Sequence, residues 1–113
     1  LGHSNPPTDE VRLSDLETEA LTAWRNGGVD MGISFKAVAS RTTVRPDRVR
    51  RVVRALARKG MVVYAQTLWN EEGMRGAGYC LTEAGGKRLA AIMLSRGWSE
   101  RQVAPIRRRW EFC

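Results

Sequence analysis

The 113-residue sequence predicts one domain, mainly α-helical with a small β-hairpin (α+β). Three observations carry this: apolar stripes at helical spacing as far as Gly60, a switch to β-branched and aromatic residues just after it, and a return to helical spacing beyond Thr82. A chain of this length buries roughly 60–68% of its unfolded surface, so it needs no metal or disulfide staple.

Residues 1–10 contain Gly, Asn and two prolines and are expected to be a flexible lead, with Leu1-Gly2-His3-Ser4 resembling an expression remnant. The first helix is signalled by Ser14-Asp15-Leu16-Glu17, a capping box in which each side chain satisfies the other residue's backbone N–H. Leu13, Leu16, Ala20, Ala23 and Trp24 form its expected inner face, and Gly27-Gly28 its stop. A second helix is expected from the cap Ser34 to about Arg41, with Phe35, Val38 and Ala39 inward. The third carries Val49, Val52, Val53 and Leu56 at i, i+3, i+4, i+7, with Pro46 in its first turn and Gly60 as its stop. Residues 61–69 are a strand, 70–78 a glycine-rich hairpin loop and 79–82 the returning strand. Thr82 caps a fourth helix with Leu89, Ile92 and Met93 inward, ended by Gly97. A short helix from Ser99, a break at Pro105 and a basic tail complete the chain. Residues 11–97 thus form a helix-turn-helix followed by a hairpin, a winged helix, and 98–113 a C-terminal segment.

Composition narrows the function. Cys80 and Cys113 make no disulfide framework, and no CxxC or Cys/His cluster suggests zinc. No apolar run approaches the roughly 18 residues of a membrane span, and no signal peptide opens the chain, so a cytoplasmic protein is expected. A Ser/His/Asp set is missing outside the lead, as are GxxxxGK[ST] and HExxH, so neither enzyme nor cofactor is expected. In Cys80 a redox sensor competes with the commoner inert strand thiol.

The formal charge is +7, and it is unevenly spread. Residues 1–25 carry −3, residues 45–59 carry +6 and the stretch from Arg96 carries +3. Such concentration is the footprint of a polyanion binder, against the plainer reading of a solubilising surface. Of the acids, Asp15, Glu17 and Glu19 fall in the first helix, where a solvated face explains them.

The stretch from Val38 to Val62, through Arg45-Pro46-Asp47-Arg48-Val49-Arg50-Arg51 and closing Lys59-Gly60-Met61-Val62, resembles the centre of MarR/PadR-type winged helix-turn-helix transcriptional regulators. Tyr79-x-Leu81-Thr82-x-x-Gly85-x-x-x-Leu89 resembles their strand-to-helix join, and together the likeness spans residues 13 to 95. The chain departs from the pattern at Thr43, where the turn usually carries Gly, and at Arg45, where Ser or Thr usually caps. A turn of different construction is expected.

With its valines and Leu56 buried, the third helix turns Asp47, Arg51, Arg54 and Arg58 outward, flanked by Arg48 and Arg50. A major groove about 12 Å wide admits such a helix. Asp47, Arg48, Arg50 and Arg51 are the candidates for base edges, Arg because its planar fork matches guanine O6 and N7. Asp47 can accept from cytosine or simply favour the helix N-terminus. Ser34, Lys36, Thr42, Thr43, Arg45, Arg54, Arg58 and Lys59 are the phosphate candidates. By the family resemblance Arg75 belongs to a wing at the minor groove, although Glu71 and Glu72 argue equally for an ordinary loop. The resemblance also implies a homodimer, for which the fourth helix and residues 98–112 are the candidates, since four Trp suggest apolar surface covered by a partner. The expected function is sequence-specific duplex DNA binding in transcription regulation. The alternative is a winged-helix module that docks protein or RNA, or serves phage or plasmid DNA transactions.

Overall fold

A computed structural model describes residues 11–25, 32–69 and 75–108. The elements run α1 (Asp15–Leu21), a 3₁₀ turn (Thr22–Trp24), α2 (Phe35–Arg41), α3 (Pro46–Arg58), β1 (Val62–Trp69), β2 (Arg75–Leu81), α4 (Glu83–Ser95) and α5 (Glu100–Arg108). The predicted fold class, mainly α with a two-stranded antiparallel hairpin, is the observed one.

The predicted capping box opens α1: Ser14 Oγ accepts from the Glu17 N–H at 3.1 Å, and Glu17 Oε1 accepts from the Ser14 N–H at 2.8 Å. The helix tightens at Thr22, whose hydroxyl donates to the Glu19 carbonyl at 2.6 Å. Its regular part therefore ends before the expected Gly27-Gly28 stop, which lies outside the described residues. The buried face is also rotated. Leu16, expected inside, is 39% exposed, whereas Glu17, Ala20, Leu21 and Trp24 are buried. The stripe turns toward Glu17 because Lys59 on the neighbouring element receives that carboxylate.

α2 and α3 begin where their signals stand. Ser34 accepts from the Ala37 N–H at 3.1 Å. Pro46 takes the first position of α3, and the preceding Arg45 is extended, as a residue before proline must be, and makes no side-chain cap. Val49, Val52, Val53 and Leu56 are all buried, and Gly60 ends the helix at φ +81°.

The hairpin is longer than expected. β2 begins at Arg75, not Tyr79, and pairs Arg75 with Trp69 and Gly76 with Leu68. Glycine has little intrinsic strand preference, but the ladder with β1 overrides it, and a bulge between Ala65 and Leu68 absorbs the irregular register. Arg75 is thus a strand residue; residues 70–74, the remainder of the expected loop, lie outside the described residues. Ile33 joins the hairpin through two backbone hydrogen bonds with Tyr79.

Thr82 caps α4 by accepting from the Gly85 N–H at 2.9 Å, and Gly97 ends it at φ +102°. Leu89, Ile92 and Met93 are buried as predicted. Beyond it Ser99 and Gln102 form a reciprocal cap for α5. No break occurs at Pro105, which lies within the helix. Val103 and Ile106 on either side of it are buried, and Pro105 itself faces solvent, where water can satisfy the carbonyl it leaves without a donor.

Candidate nucleic-acid interface

The arginines of α3 lie together on its outer side. Arg48, Arg50, Arg51, Arg54 and Arg58 are exposed along the face opposite the buried valines. Asp47, Arg50, Arg51, Arg54 and Arg58 share one open depression, and Asp47, Arg48 and Arg51 line a second beside Leu16 and Val52. Among the described residues, the only carboxylate paired on this face is Asp47, which meets Arg45 Nε at 3.2 Å with both side chains well exposed. Such a pair contributes little to stability, and opening it costs little.

The turn before α3 explains how the helix is aimed without glycine. Thr42 is extended at φ −135°, and its hydroxyl donates to the Val38 carbonyl at 2.8 Å while accepting from the Val44 N–H at 3.2 Å. The Thr43 N–H donates to Glu19 Oε2 on α1 at 3.0 Å, and Arg96 at the end of α4 pairs with Glu19 Oε1 at 3.1 Å. One carboxylate thereby pins the turn to two other helices. The Thr43 N–H holds the Glu19 carboxyl below the ordinary glutamate range, with Arg96 adding to it, against the opposing effect of burial.

Glu17 is a second such anchor. Burial would raise its pKa, but the Lys59 ammonium at 2.6 Å and the Ser14 N–H together outweigh it, and the net shift is downward. Lys59 also donates to the Arg12 carbonyl at 2.8 Å. Its ammonium, still part-exposed, thus has two partners within the domain, with which a phosphate would compete. Glu17 and Glu19 are likewise not merely a solvated acidic face. Sequence reasoning had no means to find these pairs, which span 42 and 77 positions.

The other candidates fall around this frame. Ser34 caps α2, Lys36 is exposed on its first turn, and the Thr42 hydroxyl is spent within the turn. Arg54 and Arg58 lie in the C-terminal half of α3. Phe35, expected as core, is half-buried and lies under Arg50, whose Cζ is 5.6 Å from the ring centroid. Arg25, Arg41 and Arg96 line, with Glu19, a shallow cleft beside the turn; of the three, Arg96 pairs with Glu19, while Arg25 and Arg41 donate to backbone carbonyls. Among the described residues, no three or more His, Cys, Asp or Glu stand together as a metal site, and no helix is long and apolar enough to cross a membrane.

No protein-family model matches the sequence, and no curated protein matches it significantly. Among solved structures, the chain is similar to the zinc-dependent MarR family transcriptional regulator AdcR in its Zn(II)-bound state, with a TM-score of 0.53 and 16% identity over 96% of this chain and 75% of that one. At that identity the likeness is one of fold: this chain has the winged-helix architecture of a MarR-family transcriptional regulator.

Proposed function

We propose that the protein is a sequence-specific duplex-DNA-binding regulator that lays α3 in the major groove. The observation that carries this is the row of five exposed arginines on α3, backed by a fully apolar inner face and balanced locally by Asp47 alone among the described residues. Arg48, Arg50 and Arg51, near the N-terminal end, face base edges, with Asp47 completing the set or serving the helix end. Arg45, Arg54 and Arg58, with Ser34, Lys36 and Thr43, hold phosphates. The hairpin, with Arg75 at the start of β2, lies along the flanking backbone. Two copies act together through α4 and the segment after it, reading half-sites about one helical turn apart.

Selection from a random duplex pool, followed by anisotropy titrations over a fourfold range of salt, tests this reading. If each chain neutralises about 5 phosphates, a dimer shows a log–log slope near −9. Arg51→Ala should weaken the selected site more than random duplex, and Arg58→Ala should weaken both alike. A pool that yields no enriched sequence, or an affinity indifferent to salt, overturns it.

A further inference from the structure

Arg50 differs from its neighbours on α3 in being held from outside its own helix. Its guanidinium carbon lies 5.6 Å from the Phe35 ring centroid, within cation–π range. Phe35 in turn meets the Tyr79 ring at 5.8 Å and 32°, and Tyr79 meets Tyr64 edge-on at 5.3 Å and 64°. The ring at the centre of this stack is fixed by its backbone, because the Tyr79 carbonyl accepts from both the Ile33 N–H at 2.8 Å and the buried Trp24 Nε1 at 2.9 Å. The Tyr79 N–H returns a bond to Ile33 at 3.1 Å. Among the described residues, Arg48, Arg51, Arg54 and Arg58 have no comparable ring contact.

We propose that Phe35, backed by Tyr79 and Tyr64, is a positioning residue that sets the direction of the Arg50 guanidinium and so sharpens base discrimination by α3. This rests on the DNA-reading proposal above. Ordering a long arginine side chain costs rotamer entropy, and an arginine already ordered in the free protein loses less on meeting a base. Phe35 need not touch DNA to have this effect. The same stack joins the hairpin to α3.

Phe35→Leu removes the ring and keeps an apolar side chain of similar bulk; Phe35→Tyr keeps the ring. Phe35→Leu is expected to weaken the selected duplex about threefold per chain at fixed salt, leaving random-duplex affinity and the salt slope unchanged. Phe35→Tyr restores wild-type discrimination, and Phe35→Leu adds nothing in an Arg50→Ala background. A DNA-independent measurement accompanies these: the Arg50 side-chain protons should be shifted upfield by the ring current in the wild type and Phe35→Tyr, and not in Phe35→Leu. Equal discrimination by Phe35→Leu and wild type, or equal losses on selected and random DNA, overturns the positioning role. An unshifted Arg50 in the wild type overturns it whatever the DNA result. A shifted Arg50 in a protein that selects no DNA sequence places the failure in the DNA reading, and the role falls with it.

Discussion

Gly85 offers the most direct test of the packing. A Cβ at this position would lie 1.8 Å from the Met61 carbonyl oxygen and 2.7 Å from its carbonyl carbon. Carbon and oxygen ordinarily meet at about 3.3 Å, so Gly85→Ala requires the α4 N-terminus and the start of β1 to part by roughly 1.5 Å. Neither side yields easily. Met61 is buried, and its carbonyl accepts from the N–H of Thr82, the residue just before the helix, at 3.1 Å. Forced repacking of this kind costs about 2–3 kcal/mol, and loss of the Thr82 hydrogen bond about 1 more. The better helix propensity of alanine returns about 1, leaving a net loss of about 2–3 kcal/mol. For a domain of this size that lowers Tm by roughly 8–18 °C. Gly60→Ala is the companion variant: nothing lies within 4 Å of its Cβ, but φ is +81°, so only the backbone conformation is penalised, by about 1 kcal/mol. Thermal unfolding followed by circular dichroism checks both. A Gly85→Ala protein melting within about 2 °C of wild type, or above Gly60→Ala, would refute the close approach of α4 to Met61.

Two further outcomes follow from the paired acids of α1. Glu17 and Glu19 are both held below the ordinary glutamate value of 4.5, so their contribution to stability is complete above that value and is lost as the pH falls through their folded pKa values. Urea midpoints at pH 7 and pH 3 should show Glu19→Gln losing less on acidification than wild type, and an equal acid loss would contradict the pairing. Lys59→Met keeps the packed stem and removes the cation from Glu17; it should cost about 1 kcal/mol at pH 7, discounted for the part-exposed ammonium, and little at pH 3. In anisotropy titrations Lys59→Met should lower DNA affinity far less than Arg58→Ala, and a comparable loss would return Lys59 to the phosphate-binding set.

Local chemistry made much of the fold legible. The caps at Ser14, Ser34 and Thr82, the stops at Gly60 and Gly97 and the inner stripe of α3 are short-range features, each satisfied within one helical turn. The outward arginines follow from that stripe, because burying one face of a helix exposes the other. The rotation of α1 toward Glu17, the start of β2 at Arg75 and the unbroken α5 were not legible. Each was settled by a partner distant in sequence: Lys59 for Glu17, β1 for the glycine-containing strand, and the core that receives Val103 and Ile106.

The sequence by itself determined where α1 to α4 begin, which face of α3 is apolar and where the positive charge accumulates, since these depend on periodicity, capping and composition. Only the tertiary structure decided how the threonine turn is pinned by Glu19, that Lys59 is occupied and that Phe35 lies under Arg50. The physical reason is range: a cap or a stripe is complete within a few residues, whereas an ion pair or a ring contact exists only once folding brings distant parts of the chain together.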